Sequence, residues 1–197
     1  MINANEMLAS ALRVFRPWNE QEERDIAELL RRLGSGEELW TRSNASAHLT
    51  ASAWVVSPER SRVLMCWHKL YRSWSWLGGH ADGDTDLLGV ALREVREESG
   101  LTHVRPVSPE IFSVEILTVD GHEKRGVYVS SHLHLNVTYL LEADPGEPLT
   151  AKEDENSGLA WFRPEEAVER SNEPWFRERI YSKLNARMAQ YPNTALA

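Results

Sequence analysis

The stretch Leu92–Leu101 reads LREVREESGL and sets Glu94, Glu97 and Glu98 directly ahead of Gly100. At helical spacing, Leu88, Ala91, Leu92 and Val95 share one face that packs inward. The three glutamates share a neighbouring face, because side chains three and four positions apart lie side by side. Each like-charged pair costs roughly 0.2–0.5 kcal/mol in an isolated helix. The last turn adds to the cost, since the negative end of the helix dipole disfavours anions there. Either Arg93, Arg96 and water screen the cluster, or a cation neutralises it.

The approach to the helix bears on that choice. Residues Trp76–Asp86 read WLGGHADGDTD, a glycine-rich loop joining a short extended piece, Trp74–Leu77, to the helix. Glycines at 78, 79 and 83 permit close approach of backbone to a ligand. Asp84 or Thr85 caps the helix. Gly100 ends it as a left-handed residue, followed by the apolar Leu101. Backbone oxygens and carboxylates brought together in this way suit a hard divalent cation such as magnesium.

Outward from this centre, Asn5–Phe15 carries Met7, Leu8, Ala11, Leu12 and Phe15 at helical spacing, and Pro17 ends the segment. Asn19 followed by Glu22 reads as a capping box for a second helix, with Ile26, Leu29, Leu30 and Leu33 as its stripe. Strands are expected over Leu49–Val56, Val63–Trp67, Ile111–Val119, His132–Leu141 and Leu159–Phe162. Pro164 opens a short helix, and a last helix runs from about Pro174 to Met188. The pattern predicts an α/β fold in which helices sandwich a mixed sheet. The N-terminal helices can serve as a lid, a dimer contact or plain packing.

The formal net charge of −8 argues against nucleic-acid polymers and anionic membranes as partners. A single cysteine, Cys66, excludes an intrachain disulfide and a thiolate zinc cluster. That composition fits a reducing cytoplasm. The first residues carry no signal-peptide pattern, and no stretch is long and apolar enough to span a bilayer. A cytoplasmic location is expected.

The residues from Gly79 to Leu101 resemble the Nudix box. Gly79, Arg93-Glu94, Val95, Glu97-Glu98, Gly100 and Leu101 all stand at the spacing of that motif. Thr85 takes the place of its first Glu, between Asp84 and Asp86, and Leu77 replaces the usual Pro before the glycine pair. The resemblance implies an α/β/α sandwich with a mixed sheet. A helical extension would occupy residues 1–44, and the Nudix hydrolase domain with its C-terminal helix residues 45–197. It implies a Mg2+- or Mn2+-dependent hydrolase acting on a small molecule. Such an enzyme cleaves a diphosphate linkage in a nucleoside diphosphate derivative or an oxidised or normal nucleoside triphosphate, by water attack on phosphorus. Glu94, Glu97 and Glu98 would form the metal and base group, with the Gly79 carbonyl as a further ligand and Arg93 orienting a glutamate. The usual partner of that arginine is the missing Glu, so Asp86 is expected to support Arg93 while Thr85 caps the helix. A loop carboxylate, Glu155, would complete the metal set.

Further candidates are less specific. Tyr71 and Trp74 precede the glycine loop and can stack on a base or simply pack. His80 lies in the loop. His132, His134, Asn136 and Thr138 share one face of a strand that lines either a substrate cleft or solvent. His48 and His68 stand alone in the sequence. Trp54, Trp67 and Trp161 read as core, and Cys66 as a small buried residue. Two alternatives on the same fold are a non-catalytic nucleotide sensor and a prenyl-diphosphate isomerase; the second would need Cys66 in the cleft. A homodimer is compatible with the sequence.

Overall fold

The computed structural model describes residues 3–124, 126–152 and 156–191, and Asn193. The chain opens with two helices, α1 (Ala4–Val14) and α2 (Glu20–Leu33). Asn3 caps α1 by accepting from the Glu6 N–H, and Asn19 caps α2 by accepting from the Glu22 N–H. Glu22 reaches back one residue further than a capping box requires and accepts from the Trp18 N–H at 2.5 Å.

The sheet is built around β1 (Ala47–Val56). It runs parallel to β9 (His132–Ala143) along its whole length, from Ala47 opposite Leu133 to Val56 opposite Glu142. On its other side it pairs antiparallel with β2 (Val63–His68) at one end and β4 (Leu77–His80) at the other. Beyond β2 lie β3 (Ser73–Ser75) and β10 (Asn156–Phe162). Beyond β9 lie β5 (Val104–Pro106) and β6 (Ser113–Val119). A separate hairpin joins β7 (His122–Lys124) and β8 (Val127–Val129). The sheet is mixed, as expected; β5 and the β7–β8 hairpin carry too little apolar patterning to be read from sequence.

Helix α3 (Leu87–Ser99) packs on one face of the sheet. Its buried apolar residues are Leu87, Val90, Ala91 and Val95, with Leu88 and Leu92 at the margin, so the apolar stripe is rotated from the one predicted. Leu8, Leu12, Ile26, Leu29 and Leu33 join the same core, with α2 against β6 and α1 against α2. On the opposite face lie α4 (Pro164–Arg170), a π-helical segment (Phe176–Tyr181) and α5 (Ser182–Met188), which continues it directly. Tyr181 stacks on the fully buried Trp54, with ring centroids 5.3 Å apart. Trp67 and Trp161, expected in the core, are only half-buried.

Among the described residues, strand β6 pairs only with β9, which leaves its outer amides without a strand partner there. Helix α2 supplies the partners: Val114 N–H donates to Glu22 and Ile116 N–H to Asp25, at 3.1 and 2.9 Å. Exposed strand edges invite unwanted pairing, and here two carboxylates close the edge. Beneath them, Lys183 donates to Glu115 at 2.9 Å and to Glu22 at 3.4 Å, and Arg187 donates to Glu22 at 2.8 Å. Burial would raise the Glu22 pKa. Lys183, the Trp18 amide, Arg187 and the Val114 amide together hold it below its ordinary value.

This network corrects the expectation for the polar face of β9. Asn136 is fully buried and its carboxamide is engaged on both sides. It accepts from Thr50 and Ser52 at 2.9 Å each and donates to Glu115 at 3.1 Å and to Thr138 at 3.0 Å. Asn136 and Thr138 therefore line neither solvent nor a cleft.

Candidate active site

Helix α3 begins at Asp86, whose carboxylate accepts from the Gly89 N–H at 3.0 Å, and ends at Gly100 in the left-handed region at φ 74°. Thr85 is not the cap, and Asp86 is not the support of Arg93. Asp84 takes that second role, accepting from Arg93 Nη1 at 3.0 Å. The Asp86 amide and then Arg93 hold the Asp84 carboxyl below its usual range. The ion pair that the missing Glu would make is thus formed by a residue one position earlier. Sequence reasoning missed it because Asp84 and Asp86 are chemically alike, and only the direction of each side chain separates capping from pairing.

The helix places its glutamates at unequal depths. Glu98 is buried; its carboxylate accepts from the Gly78 N–H at 3.0 Å and from Asn156 Nδ2 at 3.2 Å. Glu94 lies against Gly79, where a Cβ would fall 2.4 Å from its carboxyl carbon. Arg93 Nη2 stands 3.8 Å from Glu94. Glu97 has 48% of its side chain exposed and lies 3.8 Å from Lys152 Nζ. The absence of a side chain at Gly79 lets a carboxylate meet the backbone of β4. The site thereby offers oxygen donors from α3 and from strand backbone, the donor chemistry that magnesium or manganese takes. The residues fit such an ion. Glu155, expected to add a carboxylate, lies outside the described residues, as do Glu153 and Asp154.

The substrate-binding candidates are held by other contacts. Trp74 packs edge-on against Trp67 and Phe162, at 5.8 and 4.9 Å between centroids. Tyr71 is exposed and stacks on His68 at 4.5 Å. His80 and His134 lie instead in a histidine cluster that also holds His48 and His132. His48, which looked isolated in the sequence, is thus part of a group. Burial, followed by nearby charges, lowers the His80 pKa to about 3 and the His134 pKa to about 2. Cys66 is buried in the core and donates to the Trp76 carbonyl at 3.5 Å, well away from a role as a cleft nucleophile. A cleft of about 260 Å³ between α1 and the start of α3 includes Thr85 and Asp86 but none of the three glutamates, so it is separate from the carboxylate site.

Comparison with known proteins gives the family. The NUDIX domain family model matches residues 47–184, and the chain belongs to the Nudix family. No curated protein matches the sequence. Three solved structures share the fold. An Ap4A hydrolase from C. elegans is 16% identical with a TM-score of 0.50, over 73% of this chain and 98% of that one. The dihydroneopterin triphosphate pyrophosphohydrolase of E. coli is 14% identical with a TM-score of 0.51, over 74% and 97%. A Nudix hydrolase from M. smegmatis is 17% identical with a TM-score of 0.52, over 80% and 92%. Identities this low speak to the fold alone. Among the described residues, no helix is long and apolar enough to cross a membrane.

Proposed function

We propose that the protein is a metal-dependent pyrophosphohydrolase that cleaves a diphosphate linkage in a nucleoside diphosphate derivative or a nucleoside triphosphate, by water attack on phosphorus. The observation that carries the reading is the seating of Glu94 on Gly79 and of Glu98 on the Gly78 amide, which brings two carboxylates onto the strand backbone. Glu94, Glu97, Glu98 and the Gly79 carbonyl would hold a magnesium or manganese ion. When bound, such an ion neutralises phosphate charge and lowers the pKa of water.

The chain's own residues supply position and proton transfer. Glu98 is held by two donors, the Gly78 amide and Asn156. Arg93, held by Asp84, orients Glu94. Glu97 is the exposed member and accepts the proton of the attacking water. Lys152, close to Glu97, offsets the charge of the phosphate oxygens. Much of the rate enhancement in such chemistry comes from positioning.

The test is a panel of nucleoside triphosphates, nucleotide sugars and dinucleoside polyphosphates, incubated with magnesium or manganese and analysed by product mass. Cleavage of at least one member, lost in Glu97→Gln, is expected. A folded protein that hydrolyses none of them would overturn the reading.

A further inference from the structure

The face of β4 opposite Glu94 carries a second group of potential ligands, remote in chemistry from the carboxylates. His48 on β1, His80 on β4 and His134 on β9 place ligand nitrogens within 4.8 Å of one another. Their backbones are fixed by sheet register: His48 pairs with His134, and Thr50 with both Asn136 and His80. Three rigid strands therefore deliver three imidazoles to one point, and none of the positioning depends on a loop.

The orientation of the rings is set from outside the cluster. His48 Nδ1 lies 3.0 Å from the Asn44 carbonyl, and His132 Nδ1 lies 2.8 Å from the Ser130 carbonyl. A carbonyl can only accept, so each Nδ1 carries the proton and each Nε2 keeps the lone pair. This is the outer-shell arrangement that fixes a metal-binding histidine. His48 Nε2 is buried and has no hydrogen-bond partner among the described residues. A buried acceptor left in that state is costly, and a bound cation would satisfy it. His132 joins the group through a contact of 3.2 Å between its Nε2 and that of His134, and stands as the supporting imidazole.

We infer that His48, His80 and His134 form a binding site for a divalent transition metal of the zinc class, separate from the carboxylate site and open at its fourth position. The donor set decides the class of ion. Magnesium and calcium take oxygen ligands, whereas imidazole suits zinc, copper, nickel and iron. Zinc–nitrogen bonds of about 2.0–2.1 Å place tetrahedral ligands roughly 3.3 Å apart. The three rings must therefore draw together by about 1 Å or more at their widest separation, a side-chain adjustment on a fixed backbone. Three protein ligands with one position left open is the arrangement of zinc sites that bind a water or a further ligand. The inference is independent of the hydrolase reading, since no residue is shared between the two ligand sets.

The experiment uses the full chain stripped with chelator and titrated with Co2+, a spectroscopic stand-in for zinc. One equivalent should bind at the histidines with the intense visible absorption of a tetrahedral nitrogen site, distinct from the pale absorption of cobalt on carboxylate oxygens, be displaced by Zn2+, and raise the melting temperature. His80→Gln and His134→Gln should each weaken binding by at least roughly 10–100-fold while keeping the wild-type circular dichroism. Glu97→Gln should keep that intense absorption, whatever it loses at the carboxylates. X-ray absorption at the zinc edge of the wild-type protein should report imidazole nitrogens, a readout that does not depend on the variants folding. An oxygen-only shell would overturn the site, and so would an equal intense cobalt absorption in wild type and both histidine variants, or loss of that absorption in Glu97→Gln.

Discussion

Arg93 Nη1 donates to Asp84 Oδ2 at 3.0 Å, tying the glycine-rich loop to the middle of the helix that carries the glutamates. One position after Asp84 stands Thr85, where the Nudix box has a Glu, and two positions after it stands Asp86, which caps the helix. Charge pairing and capping are thus divided between two aspartates. Asp84→Ala should lower turnover by releasing Arg93 from the vicinity of Glu94, with little change in melting temperature, because both members of the pair are partly exposed and such pairs contribute little stability. Asp86→Ala should do the reverse. Losing an N-cap costs about 1 kcal/mol, a drop of roughly 2–4 °C for a chain of this size. Steady-state kinetics and thermal melts on the two variants check the division, and an exchange of the two effects would refute it.

Gly79→Ala tests the contact between strand and carboxylate. The added Cβ would meet the Glu94 carboxyl group at 2.4–2.7 Å, so the glutamate must leave the strand. A displacement of about 1 Å at a reacting centre can cost about 10²-fold in rate, and a loss of that order in kcat is expected. Wild-type turnover in Gly79→Ala would show that Glu94 acts from some other position.

Glu97→Gln should reduce turnover by roughly 10²–10⁴-fold and leave the melting temperature nearly unchanged, since the side chain is half exposed. Excess chelator should abolish the wild-type activity, and restoring magnesium or manganese should return it. Full turnover in chelator would remove the metal from the mechanism.

Lys183→Met should be strongly destabilising. Its ammonium is buried between Glu115 and Glu22, and removing one member of a buried pair costs about 3–5 kcal/mol. A fall of roughly 10 °C or more in melting temperature follows, and adding Glu115→Gln should recover part of it. A single variant that melts with the wild type would mean that the buried network carries no net stability.

Stability at low pH should also report on Glu22. Its folded pKa lies below the ordinary 4.5, so its contribution is complete above that value and is lost as pH falls through the folded pKa. Glu22→Gln should flatten the acid limb of the stability curve, measured by denaturant titration at stepped pH. An unchanged limb would place the acid sensitivity on other carboxylates.

What could be read from the sequence was what depends on local spacing. The helix that carries the glutamates, its left-handed end at Gly100, the glycine approach and most of the long strands follow from periodicity and turn chemistry alone. What could not be read depends on partners distant in the chain. Asn136 alternates in the sequence like a residue facing water, but α5 covers that face and supplies Lys183 beneath it. His48 and His80 have no metal-ligand spacing, yet strand register brings them to His134. Only the alternation of His132 and His134 hinted that a cluster existed.

The clasp between α2 and α5 also bears on the order in which the molecule is made. Glu22 and Glu115 are enclosed by the fold, but the ammonium between them comes from Lys183, 161 positions after Glu22. Arg187, later still, donates to Glu22 and to the Arg16 carbonyl, at 2.8 and 2.6 Å. During synthesis on the ribosome, α2 and β6 emerge long before these cations and cannot bury their carboxylates against a counter-charge. Final closure therefore waits for α5 to emerge, and a nascent chain halted before Lys183 should remain sensitive to protease at the α2–β6 seam.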